Sequence, residues 1–171
     1  MSEKIVIKAN ETFNSRINKI STIFLKQIQI LGSWEFYLLL TLSFFLFLKI
    51  EIFLFLLIGF TLIHTLGIPI RLIFYKDRPK KIKHENIIEK IKASSFPSFH
   101  SSRSMFLLLV FAYYNNNTYL LVSGIILVAL ISYSRIYFSW HDLKDIVAGL
   151  FLAIFCYISL IWVWYNIFLF L

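Results

Sequence analysis

At 171 residues, with 59% hydrophobic side chains, 19 Phe and a mean hydropathy of +0.77, the chain falls outside the soluble class and belongs in a bilayer. Its apolar runs are too numerous for one cleaved signal peptide, and a polar start (Glu3, Lys4, Lys8, Asn10, Glu11) precedes any of them, so no removable targeting segment is expected. The single Cys156 excludes an intramolecular disulfide, and the net charge of +8 is read against a membrane rather than a nucleic acid.

Residues 12–31 repeat apolar positions at helical spacing (Ile17, Ile20, Phe24, Ile28, Leu31), while Arg16, Lys19, Lys26, Gln27 and Gln29 interrupt the apolar surface. That pattern predicts an interfacial amphipathic helix, which becomes a sixth span if it crosses. Gly32-Ser33 breaks it, and Trp34 to Ile50 reads as a first spanning helix with Trp34 and Tyr37 near one interface. Ile52 to Tyr75 reads as a second, long enough for the roughly 30 Å hydrocarbon core, with a kink expected at Pro69. Residues 76–96 are charged and read as a basic surface helix or lid or, equally, as a solvated loop. A third helix is expected from Ser98 to Tyr114, ended by Asn115-Asn116-Asn117, a fourth from Thr118 to Ile136, and a fifth from Asp142 to Phe170. The predicted fold is all-α: a polytopic transmembrane bundle of five spanning helices plus the N-terminal amphipathic helix, in one membrane-embedded domain over 1–171.

Three polar clusters fall at the ends of these apolar stretches: Arg71-x6-Arg78-Pro79, Pro97-Ser98-Phe99-His100, and Ser134-Arg135-x5-His141-x3-Asp145. Short turns make neighbouring helices antiparallel, which brings all three clusters to one face. Ionisable groups at membrane depth are costly unless paired or facing water, and a bound anion would account for them. Guanidinium groups meet phosphate oxygens bidentately and stay charged, and three of them suit phosphate better than carboxylate. His141 and Asp145, four apart, share a helix face, so the carboxylate can hold one ring nitrogen protonated and leave the other free to attack. His100, from another helix start, is placed to protonate a leaving oxygen, while Ser98 and the exposed N–H groups of that terminus bind phosphate oxygens.

Together the clusters resemble the signature of the type 2 phosphatidic acid phosphatase superfamily, K-x6-R-P, P-S-G-H and S-R-x5-H-x3-D, which also covers soluble vanadium haloperoxidases. The resemblance implies that His141 forms a phosphohistidine, Asp145 orients it, and His100 acts as acid and then as base. It also implies that Arg71, Arg78, Ser98, Phe99 through its backbone, and Arg135 hold the phosphate, with no metal or other cofactor. Arg71 stands where the family has Lys, so Lys76 is a further candidate for that role; Phe99 stands where it has Gly, which disfavours a positive φ. Arg103, one turn beyond His100, is equally placed to touch a headgroup or to neutralise a lipid phosphate. His64 reads as a packing histidine, Asp142 as a helix start, and Gly149 with Ala153 as a helix contact.

The expected activity is hydrolysis of a membrane lipid phosphate monoester or diphosphate, first an isoprenyl (undecaprenyl- or dolichyl-type) diphosphate. Phosphatidylglycerophosphate, phosphatidate and a lipid A phosphate are alternatives, and a non-catalytic phospholipid-binding protein is the rival from another class. The partners are therefore the lipid substrate and the bilayer, with no nucleic acid. Sidedness is contested. The resemblance favours an extracytoplasmic site in the cell membrane, whereas 16 of the 17 Lys and Arg fall on the active-site face of the five-span topology, which the positive-inside rule would place in the cytoplasm.

Overall fold

The computed structural model describes residues 17–80 and 85–169, with side chains to 166. Helix α1 (Ile17–Gly32) closes in a 3-10 turn over Gln29–Gly32, and α2 (Trp34–Leu46) leaves it at a bend of 51°. Then follow α3 (Ile50–Ile73), the short α4 (Ile87–Ala93), α5 (Phe99–Asn115), α6 (Thr118–Tyr137) and α7 (Leu143–Leu169). Among the described residues there are helices and one isolated bridge, Asp77 to Ser94, which pins the two ends of the basic segment together. The basic segment thus contains a helix, one of the two forms expected for it. Residues 81–84 of that expectation, and 12–16 of the N-terminal one, lie outside the described residues.

Local chemistry sets the boundaries. Ser33 accepts a hydrogen bond from Phe36 N (3.1 Å) and starts α2. Asn86 and Glu89 cap α4 reciprocally, at 2.8 and 3.0 Å. Asn116 takes a left-handed conformation (φ 43°) to end α5, and Asn117 receives the N–H groups of Tyr119 and Leu120 to start α6. Helix α2 stops four residues before the predicted Ile50, because Leu48 turns left-handed (φ 56°) and Lys49 N bonds back to Phe44 O. Helix α3 runs through Pro69 to Ile73 as one element.

Helices α3, α6 and α7 (Leu143–Asn166) are long and apolar enough to cross a membrane, and the bent α1–α2 pair makes a fourth if it is a single span. The predicted count of five or six is not confirmed: α2 has 13 residues and α5 has 17, below and at the lower limit of the roughly 17–25 that a span takes. At most 33% of the most apolar stretch of any span is buried in the protein. The outward residues, such as Ile125, Phe151, Phe155 and Trp162, are large and exposed, as lipid contact requires.

Helix α5 is the central element, packing most extensively on α7 and α6. Its Phe106 sits where Gly59 of α3 has no side chain, a Cβ there being 2.1 Å from the ring, and Phe99 uses Gly67 in the same way at 2.3 Å. Tyr37, Phe55, Leu56, Ile63, Val110 and Cys156 fill the core behind them. This core keeps the start of α5 against the end of α3 and the start of α7.

Candidate active site

The start of α7 is built on a reciprocal cap. Asp145 N donates to Asp142 Oδ1 (3.1 Å), and Asp142 N donates to Asp145 Oδ2 (2.9 Å). Asp145 is fully buried, and its Oδ1 accepts from Lys76 Nζ at 2.8 Å; Lys76 also pairs with Asp142. Partial burial disfavours the Lys76 ammonium, but its bonds to Asp142 and Asp145 outweigh this and hold its pKa above the ordinary lysine range. Lys76, a further candidate for the phosphate site, is thus engaged by both carboxylates and places its ammonium beside Asp145. Asp142, expected only to open the helix, shares that lysine.

His141 lies just before this cap, its N–H bonded to Arg135 O at 3.2 Å, so the end of α6 sets its place. Its Nδ1 faces Asp145 Oδ2 at 3.7 Å, a distance that a small ring movement would turn into a hydrogen bond. Burial lowers the pKa of His141, Asp145 opposes that, and the Arg135, Arg78 and Arg71 charges lower it further, to about 4. The imidazole is thus neutral at physiological pH, the form a nucleophile needs.

The second cluster turns tightly into α5. Ser98 is fully buried, its N–H bonds to Asp145 O (3.0 Å), and its side chain makes no cap bond to the helix. The first N–H groups of α5 thus receive no cap from the Ser98 side chain. Ser98 Oγ instead joins a chain with Ser101 (3.2 Å) and Ser132 (3.1 Å) that ties α5 to α6. A Cβ on Gly149 would come within 2.4 Å of Ser98 O, so the predicted small-residue contact of α7 is made with this turn.

Arg71 is buried and donates Nη1 to Ile91 O (3.1 Å) and Nη2 to Pro97 O (2.8 Å), bracing both α4 and the turn before Ser98. Its guanidinium lies 3.8 Å from the Phe99 ring centre. Phe99 opens α5 without a positive φ, so the strain expected from a side chain at that position does not arise. Arg78, His100 and Arg135 line one cavity of about 430 Å³ with Trp140, Gln29, Ile30, Ser33, Trp34 and Glu35. Trp140 lies 5.2 Å from Arg78 and 5.7 Å from Arg135, a cation–π partner for both. The Nε atoms of Arg71, Arg78 and Arg135 are buried with no hydrogen-bond partner among the described residues.

The structure thus gathers His141, Asp145, His100, Arg71, Arg78, Ser98, Phe99 and Arg135. Arg103 does not join them: its Nε and Nη2 both donate to Gly32 O (3.0 and 2.9 Å), and its Nη1 lies 3.4 Å from His64 Nε2. The guanidinium of Arg103 is buried, with two of its nitrogens donating to backbone. Sequence reasoning missed Trp140, although it sits beside His141 inside the third motif. It also missed the Gln29–Glu35 wall, for which the polar residues interrupting α1 were the only signal.

The profile of a known family, described as the PAP2 superfamily, matches residues 52–168. The chain belongs to that superfamily. A PAP2 protein of this type is a metal-independent phosphoric ester hydrolase acting in a membrane. Its fold is similar to that of Aquifex aeolicus LpxE (TM-score 0.67, 23% identity, covering 81% of this chain and 83% of that one). It is also similar to the transmembrane PAP2-type phosphatidylglycerolphosphate phosphatase from Bacillus subtilis (TM-score 0.65, 20% identity, covering 88% and 84%). Comparison with curated protein sequences gives no match.

Proposed function

We propose that this PAP2 protein, as one membrane-embedded domain, removes the terminal phosphate of a lipid through a covalent phosphohistidine at His141. The observation that carries the reading is the set of buried, unpartnered guanidinium nitrogens of Arg71, Arg78 and Arg135 around a neutral His141 backed by Asp145. Donors of that kind are costly to bury unless an anion completes them.

In the first step, the His141 Nε2 lone pair attacks phosphorus, the bond to the lipid oxygen breaks, and His100 gives that oxygen its proton. Asp145 stabilises the positive imidazole ring that results, and the three arginines take the charge that builds on the phosphoryl oxygens. In the second, His100 removes a proton from water as its oxygen attacks phosphorus. The P–N bond breaks, and inorganic phosphate and the starting His141 are restored.

An apolar groove of about 450 Å³, bordered by Leu31, Phe36, Leu107, Leu127 and Ile131, supports a long hydrocarbon tail beside this head site. An isoprenyl diphosphate, a minimal phosphate head on such a tail, is the first substrate. Phosphatidylglycerophosphate is the second. It is favoured by the likeness to the Bacillus subtilis phosphatase. The protein is placed in the cell membrane with the site outward.

The test is phosphate release by detergent-purified protein, with chelator present, from isoprenyl diphosphate, phosphatidylglycerophosphate, phosphatidate and lipid A phosphate. Release is expected to fall by about a thousandfold or more in His141→Ala. A well-folded preparation that releases phosphate from none of them refutes the reading and points to lipid binding without turnover.

A further inference from the structure

The elbow between α1 and α2 lies outside residues 52–168, the part that matches the family, yet it walls the site on the His100 side. No hydrogen bond to a described residue holds the His100 ring; the groups acting on it are charges at a distance, those of Arg135, Arg103, His141 and Arg78. Packing must therefore set its orientation, and that packing comes from Gly32. A Cβ on Gly32 would stand 3.2 Å from His100 Cδ2, 3.3 Å from His100 Cβ and 2.8 Å from Ile131 Cγ2, so its backbone lies directly against the ring edge.

Gly32 is itself held. Arg103, 4% exposed, aims two donors at the Gly32 carbonyl, at 3.0 and 2.9 Å. His64 backs it from the other side: its Nδ1 is 2.8 Å from Phe60 O, which can only accept, so Nδ1 carries the proton and Nε2 is free to accept from Arg103. The His64 ring lies between Phe60 (4.1 Å) and Phe99 (4.9 Å). A continuous path of contacts thus runs from α3 through His64 and Arg103 to Gly32 and ends on His100. A second tie, Arg135 Nη1 to Gln29 Oε1 at 2.8 Å, secures the same elbow to the phosphate side.

We infer that Arg103 is a positioning residue for proton transfer, fixing the His100 ring at the leaving oxygen by clamping Gly32 against it. The inference rests on the acid–base role proposed for His100. A clamp on the general acid affects only the steps that move a proton, and that separates it from a support of the fold.

The experiment uses the full chain in detergent and compares an alkyl phosphate lipid, whose leaving oxygen must be protonated, with p-nitrophenyl phosphate, whose leaving group departs unassisted. In Arg103→Met, kcat for the lipid is expected to fall by about tenfold or more at unchanged KM. The first-turnover burst of p-nitrophenol should persist, and phosphohistidine should accumulate, because water activation fails while P–N bond formation does not. Arg103→Lys, which keeps a donor for Gly32 O, should recover most of the lipid rate. Gly32→Ala, which leaves Arg103 in place and crowds His100 and Ile131, should reproduce the Arg103→Met pattern.

Loss of the p-nitrophenol burst along with the lipid rate in variants that melt like the parent, or no loss at all, would overturn the clamp while leaving the phosphatase reading intact. A parent protein inactive on both substrates would overturn both.

Discussion

The Arg71 guanidinium covers the Phe99 ring at 3.8 Å, so the two positions at which this chain departs from its family's signature form a single contact. Arginine in place of lysine gives a flat cation that stacks, and phenylalanine in place of glycine gives it a surface to stack on, with Gly67 making room behind. Arg71→Lys and Phe99→Gly should therefore be coupled. In a double-mutant cycle on kcat/KM, the double variant is expected to lose about 1 kcal/mol less than the sum of the singles, and strict additivity would show the contact to be idle. The neighbouring His141 makes a prediction about pH. Its pKa of about 4 lies below the ordinary histidine value, so the unfolded chain binds the extra proton first as pH falls. Stability from this residue is present in full above about pH 6.5 and drains away between there and pH 4. The acid limb of kcat/KM should accordingly turn near 4, and a limb near 6.5 would show an imidazole not desolvated as described.

At the level of elements, the start of α7 and the turn before α5 are pressed together more closely than any side chain would allow. Gly149 meets Ser98 O where a Cβ would be 2.4 Å away, and Ser98 N is bonded to Asp145 O. Gly149→Ala must push the turn aside, at about 1–3 kcal/mol of overpacking, measurable as a lower melting temperature together with a fall in kcat. A variant that loses stability but keeps its full kcat would show that the turn can shift without harming the site. Most of the helix order and all the motif residues were legible from the sequence, because caps and breaks such as Ser33, Asn116-Asn117 and Asp142 are local signals. Arg71, His141 and Asp145 were legible because charges at the ends of apolar runs demand partners. What stayed hidden depends on contacts distant in sequence. Lys76 reads as a spare cation until Asp142 and Asp145, some seventy residues on, are seen to hold it. Arg103 reads equally as a headgroup contact or a partner of a lipid phosphate, and its bonds to Gly32 O lie beyond what sequence shows. The predicted number of spans is not confirmed for a related reason: hydropathy does not reveal that Leu48 turns the chain after 13 residues of α2.

For the whole molecule, the orientation in the membrane is the first question, because it decides which pool of lipid the site can reach. Ile88 of α4 is 66% exposed, and Cys156 is fully buried, so a cysteine introduced at 88 would be the one an impermeant maleimide finds. Labelling in intact cells is expected for the outward site proposed above, and labelling only after permeabilisation would reverse it. The second question concerns charge. Arg78, Arg103 and Arg135 all act electrostatically on Arg71, and Trp140 is a cation–π partner of Arg78 and Arg135. Such a crowd repels itself, and an anion that enters it relieves the repulsion and binds the folded state alone. Phosphate or vanadate should therefore raise the melting temperature, by the equivalent of about 2.7 kcal/mol at a hundred times its dissociation constant. Since phosphate is also what a phosphatase releases, the repulsion between these arginines has a kinetic outcome. Turnover should slow as product accumulates, and the inhibition constant from rates should equal the dissociation constant from melting.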